Sequence, residues 1–222
     1  MLSQVQTQNI PSTSVTDGTY PSHLGGKSGE GLVAQIHGRN YSTAVRGKVF
    51  HGISVPAGNS FPLYTATAFV FGVWNPLGSG VNLELIRFTA AYVSGTGVAG
   101  PFGYNFKPDA GSQAATGSPV AAFNHVALGI KNGILGGGET SKAQFTNAAT
   151  NTVVAALTTN FIPNNMSHVV ITAADATITP FMLEDNIDGS IIVPPGCLFW
   201  PAALLASVSL YEMKLTWAEY PV

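Results

Sequence analysis

Glycine and proline clusters cut this chain into short apolar segments, and no sustained 3.6-residue period survives between the cuts. The turn signals are Asn75-Pro76, Gly95 to Pro101, Gly136-Gly137-Gly138, Asp188-Gly189 and Pro194-Pro195-Gly196. Between them lie runs rich in Val, Ile, Phe, Tyr and Thr, whose branched or aromatic side chains suit a pleated surface. Strands are predicted over 49–55, 61–74, 81–93, 123–130, 150–161, 177–185, 189–194 and 208–220. In 81–93 the alternation is direct: Asn82 and Glu84 sit among Val81, Leu83 and Leu85, and the polar face then changes near Arg87. Many short strands separated by turns point to a sandwich or a barrel.

One stretch is used twice. Residues 53–61, ISVPAGNSF, match residues 191–199, IIVPPGCLF. Each reads as a corner: a strand ends, proline fixes φ, glycine permits a sharp turn, and an apolar strand follows. Two such units, one near each end of the β region, fit the pseudo-symmetry of paired Greek keys. The expected fold is all-β, a jelly-roll-like β-sandwich over residues 47–222, preceded by an extended N-terminal arm over residues 1–46.

The arm is polar, rich in Ser, Thr and Gly, and a short helix over Leu32 to Ile36 is the one element it admits. Alone, such a segment cannot bury enough apolar area to offset its ordering entropy. It is expected to order against a neighbouring subunit, with Val5, Ile10, Val15, Tyr20, Leu24, Leu32, Ile36 and Tyr41 as the contact residues.

Charge points the same way. Asp, Glu, Lys and Arg make up 9% of the 222 residues, against roughly 25% in an ordinary soluble domain. A surface so poor in charge is weakly solvated, and interface cores are themselves charge-depleted. Partners are therefore expected to cover much of it. A formal net charge of −2 and scattered Lys and Arg leave no electrostatic footprint for nucleic acid. The longest apolar run, Cys197 to Ala206, is broken by Pro201 and falls well short of the roughly 20 residues of a membrane-spanning helix. The N-terminus shows neither a basic n-region nor an apolar h-region, so an unprocessed chain made inside a cell is expected. Cys197 is alone, can form no internal disulfide, and reads as a buried small hydrophobe.

Several patterns imitate chemistry. Gly95-Thr96-Gly97-Val98-Ala99-Gly100 spells a dinucleotide fingerprint, but Pro101-Phe102-Gly103 follows where a helix must begin. Gly26-Lys27-Ser28 resembles the end of a phosphate-binding loop, yet Pro21 stands where its first glycine belongs. The histidines His23, His37, His51, His125 and His168 are widely spaced and form no metal-ligand pair. The acidic cluster Glu184, Asp185 and Asp188 could offer oxygen ligands to Ca²⁺, but the preferred reading is a hairpin whose Asp188-Gly189 supplies a left-handed turn, and no metal site is expected. No serine sits in a G-x-S-x-G elbow. Neither an enzyme nor a bound cofactor is expected.

From Tyr41-Ser42-Thr43-Ala44-Val45-Arg46-Gly47-Lys48-Val49-Phe50 onward, the chain resembles a family of tailed-bacteriophage virion structural proteins. The likeness continues through residues 64–68 (YTATA), 74–83 (WNPLGSGVNL), 92–97 (YVSGTG), 188–196 and the terminal LTWAEYPV at 215–222. It covers most of 41–222, and its motifs are structural turns. The resemblance implies a subunit of the virion, made in the host cytoplasm, with capsid cement (decoration) as the leading role. It further implies copies of itself, as a trimer, and the major capsid protein or other virion proteins as partners. The alternative is a receptor- or glycan-binding jelly-roll module of a tail or head fibre. Trp74, Trp200 and Trp217 would then stack on sugar faces instead of packing in the core.

Overall fold

The computed structural model describes residues 38–95, 100–108, 123–126, 129–147, 149–153, 161–168, 182–205 and 208–222. The expected arm contacts Val5, Ile10, Val15, Tyr20, Leu24, Leu32 and Ile36, and the helix over 32–36, lie outside them. The chain divides into two units, Met1–Tyr41 and Ser42–Val222. Of the first, the described part is a turn in which Tyr41 N–H donates to the Gly38 carbonyl at 2.9 Å.

The fold class is all-β. One short α-helix, α1 (Tyr41–Val45), precedes thirteen strands among the described residues. They are β1 (Val49–Ile53), β2 (Ala68–Phe69), β3 (Gly72–Trp74), β4 (Val81–Ser94), β5 (Gly100–Lys107), β6 (Ile130–Asn132) and β7 (Gln144–Thr146). Then come β8 (Asn151–Thr152), β9 (Phe161–His168), β10 (Met182–Asp185), β11 (Ile192–Val193), β12 (Leu198–Ala203) and β13 (Leu210–Pro221).

The first sheet has the order β10-β4-β13-β1-β6, with β11 also paired to β4, all antiparallel. One of its faces is wet, so alternation shows in the sequence. In β13, Tyr211, Met213, Leu215 and Trp217 are buried while Glu212 and Lys214 are exposed. The change of face near Arg87 is a β-bulge. Thr216 pairs with Arg87 and Trp217 with Leu85, leaving Ile86 without a partner on β13.

The second sheet has the order β7-β3-β12-β5-β9. Its inner face packs on the first sheet: the Phe88 ring of β4 lies 5.8 Å from Phe102 and 5.9 Å from Tyr104, both in β5. At another point Phe145 of β7 meets Trp217 of β13 at 6.2 Å. The outer face is covered too. The small β2–β8 sheet and Phe123 overlie it, with Phe69 stacked on Trp200 at 4.9 Å and Phe123 against Trp74 at 5.5 Å. Burial on both sides explains why β12 reads LFWPAA, with no polar residue in alternation.

Two expected strands are corrected. Over 61–74 only β2 and β3 are strands. Phe61 turns inward onto Tyr211 at 4.8 Å, and Ala66 N–H closes a turn on the Leu63 carbonyl. Over 123–130, residues 123–126 are irregular and β6 begins at Ile130, because Asn124 N–H is taken by the Asn151 side chain rather than by a strand. Strands β5, β7 and β9 were not among those expected from the sequence, and β12 was expected only as the apolar strand after the second corner.

The repeated corners share a task but not a turn. At the first, Gly58 N–H donates to the Val55 carbonyl, so Pro56-Ala57 is the central pair. At the second, Cys197 N–H donates to the Pro194 carbonyl, and Gly196 at φ 85 takes the left-handed position. Each corner leads away from the first sheet: β11 passes into β12, and β1 passes to Leu63, which bridges Ala203 of β12. Both end with a phenylalanine, Phe61 or Phe199, buried in the core.

Candidate functional site

Glu184 and Asp185 are consecutive in β10, so their carboxylates leave the strand on opposite sides. Glu184 pairs with Arg87, whose Nε also donates to Asn186 Oδ1 at 3.1 Å. Asp185 points between the sheets, where its Oδ2 accepts from the Tyr104 hydroxyl at 2.5 Å and from Asn164 Nδ2 at 2.6 Å. Burial, reinforced by the Asp185 bond, pushes the Tyr104 phenol well above its ordinary range. Asp188 occupies the turn at φ 51, followed by Gly189 at φ 80, and Ser190 N–H closes that turn on the Ile187 carbonyl. Two successive positive φ values are what a type I′ turn requires. The three acids expected as oxygen ligands thus sit in three separate settings. Among the described residues, no group of three His, Cys, Asp or Glu side chains is placed to hold a metal.

One acidic residue not anticipated from the sequence is Glu219, 4% exposed at the end of β13. Its Oε1 accepts from Ser141 Oγ at 2.5 Å, both carboxylate oxygens lie 3.1 Å from Lys142 N, and Trp217 Nε1 donates to Oε1 at 3.3 Å. A carboxylate can be buried at moderate cost when donors surround it in this way. The signal was present: Glu219 shares the inward phase of Leu215 and Trp217 beyond the bulge, where an acid needs internal donors. The clamp holds one end of the β6–β7 loop. Asn132 holds the other, donating to the Gly47 and Glu139 carbonyls at 2.8 and 2.9 Å and accepting from Ile134 N–H. At the tip stands Leu135, 94% exposed.

The remaining candidates are dispersed. His51 Nδ1 bonds Thr216 Oγ1 at 3.0 Å, and burial together with nearby Lys214 lowers its pKa. His125 Nδ1 accepts Phe145 N–H at 3.0 Å. His168 ends β9, while His23 and His37 lie outside the described residues. Cys197 is buried, and burial pushes its thiol up to about 11, so it stays protonated at neutral pH. Trp74, Trp200 and Trp217 are all buried and present no open ring face. Tyr41, in α1, is exposed.

The two lateral edges of the packed sheets differ in chemistry. The edge formed by β6, β7 and their loop carries Leu135 with exposed Lys131 and Lys142, while Lys48 pairs with Glu139. On the opposite edge, beside β9 and β11, lies an apolar pocket of about 360 Å³ lined by Phe106, Ile162, Ile191, Ile192, Val193 and Pro194, among others. Ile162 and Ile192 stand exposed on its rim. Acids gather there: Glu84 pairs in register with Ile192, and Glu184, Asp185 and Asp188 follow in β10 and its turn, with Arg87 and Lys107 as the basic residues of that edge.

No protein-family model matches this chain, and no curated protein or solved structure matches it.

Proposed function

We propose that this chain is a virion structural subunit, most specifically a capsid cement subunit, acting through assembly and without catalysis. The observation that carries the reading is the strand order. In one sheet β1-β13-β4-β10 are neighbours, and in the other β3-β12-β5-β9. With β6, β7 and β8 set aside, the chain changes sheet between β1 and β3, β3 and β4, β4 and β5, β9 and β10, β11 and β12, and β12 and β13. That wrapping supports the jelly-roll reading, in which two Greek keys nest in one sandwich and β6, β7 and β8 form an insertion. Viral capsid proteins, lectins and cupins use that architecture.

Three observations weigh among those uses. A cupin gathers metal ligands in the barrel, whereas His51 and His125 each bond a neighbour on separate strands. A glycan-binding tip offers open aromatic faces, whereas the three tryptophans are packed inside. A capsid-associated subunit covers its surface with partners, which accords with 9% charged residues and with the sequence resemblance to virion proteins. The partners are copies of the chain, as a trimer, and the major capsid protein. Residues 1–46 would act as an arm laid across a neighbour, where main-chain pairing gives affinity with little demand on side chains.

Mass spectrometry of purified particles, from wild type and from a variant lacking residues 1–40, tests the reading. The wild-type chain is expected in particles, and the truncated chain is expected to fold but stay out. Normal incorporation of the truncated chain removes the arm mechanism, and absence of the wild-type chain from particles removes the virion role.

A further inference from the structure

We propose that copies of this chain join head to tail, with the Leu135 loop of one seated in the Ile162–Ile192 pocket of the next. The inference rests on the assembly reading for self-association, and adds the two surfaces that meet.

The projecting side is built to hold its shape. Leu135 is 94% exposed, yet its loop is fixed at one end by the Glu219 carboxylate and at the other by Asn132. Gly137 N–H closes a turn on the Ile134 carbonyl, and Gly136 and Gly138 take positive φ on either side. An apolar side chain held rigidly in water loses little entropy on docking, which favours a partner that buries it.

The receiving side is an apolar pocket of about 360 Å³, with room for a leucine side chain. It lies where β5, β9 and β11 meet, on the edge away from β6 and β7. Charge favours the same pairing. Lys131 and Lys142 flank the projecting loop in sequence, while Glu84 and Asp188 lie on the strands and turn beside the pocket. Opposite charges at the rim steer encounter and set register, while the apolar centre supplies the burial.

Because knob and pocket are different patches, the contact is heterologous. Repeating it closes a ring if the rotation allows, and otherwise grows a filament. The trimer proposed above would be the smallest such ring. If the knob instead docks on a different virion protein, the pocket plays no part in self-association.

Sedimentation equilibrium of the full chain tests this. Wild type is expected to self-associate, less tightly as salt is raised. Leu135→Asp, at a site exposed in the fold, and Ile192→Asp, on the pocket rim, are each expected to weaken association by about tenfold or more. The decisive sample is a mixture of the two variants. Each keeps one working half, so the mixture is expected to form a one-to-one dimer and nothing larger. Wild-type oligomers indifferent to both substitutions overturn the interface while leaving self-assembly in place. A wild-type monomer that still coats particles overturns the interface while leaving the virion role. A mixture that fails to dimerise overturns the head-to-tail geometry.

Discussion

The backbone N–H of Asp188 donates to the Ile86 carbonyl across 2.9 Å, tying a turn to a bulge. Ile86 is the extra residue of β4 that finds no partner on β13, and its carbonyl would otherwise lack a strand donor. Gly189 N–H serves the Leu85 carbonyl at 2.8 Å in the same way. The turn therefore caps the irregularity on β4 and lets β10 and β11 share that strand as a neighbour.

Gly189 has φ 80, and a Cβ there would come within 2.5 Å of Glu84 Oε1. Gly189→Ala is expected to destabilise the protein by about 1–2 kcal/mol, because the backbone strain outweighs the entropic gain. Asp188→Gly relieves a positive φ and is expected to change stability by less than about 0.5 kcal/mol. Urea unfolding of the two variants separates these outcomes, and equal midpoints would contradict the turn assignment.

Calcium at about 10 mM, roughly tenfold above the dissociation constants of weak sites, is expected to leave the melting temperature unchanged. Glu184 is engaged by Arg87, and Asp185 by Tyr104 and Asn164. A metal would have to break both sets of bonds and turn two opposed side chains toward one point. A rise in Tm with calcium but not with magnesium would overturn that expectation.

Glu219→Gln keeps the shape of the clamp but sets an amide N–H₂ against the Ser141 and Lys142 donors on one side. Glu219→Ala leaves those donors and Trp217 Nε1 unserved. A loss of about 2–4 kcal/mol is expected for the alanine variant, since buried donors lose a charged acceptor. Hydrogen exchange should speed up first at Lys142, before any global change. Unaltered exchange there would mean the loop is held by other means.

Two pH limits follow from burial. Cys197 is pushed up to about 11 from its ordinary 9.0, and Tyr104 and Tyr211 are also raised, chiefly by burial. The folded state then holds protons that the unfolded chain releases, so stability is complete below pH 9 and falls as pH rises toward 11. His51 runs the other way. Its lowered pKa, from burial and Lys214, gives a contribution complete above 6.5 and lost as pH falls below it. Melting temperatures across pH should form a plateau with both shoulders. Cys197→Ala is expected to shrink the alkaline shoulder, leaving the part due to Tyr104 and Tyr211, and His51→Gln to shrink the acid one.

Legibility in the sequence follows solvent exposure. Strands β4 and β13 can be read because one face is wet, so Glu212 and Lys214 interrupt Tyr211, Met213 and Leu215. The bulge is visible as the change of face at Arg87. Strand β12, buried on both sides, carries no such interruption, and in 61–74 the same aromatic composition serves a crossing loop and two short strands. Of the candidate sites, Asp188-Gly189 was readable as a turn because its requirement is local backbone geometry. For Glu219 the inward phase was readable but the loop that serves it was not, because Lys142 and Ser141 lie 77 and 78 residues away.

The sequence by itself determined that the fold class is all-β and where the chain must turn, because proline, glycine and Asp-Gly act through φ alone. It also determined that few charges would face water. Only the tertiary structure decided which strands are neighbours, that one sheet is covered on both faces, and that Leu135 and the Ile192 pocket occupy opposite edges. Those outcomes depend on contacts between residues far apart in the chain. Local periodicity reports how many faces of a strand are buried, and is silent about what buries them.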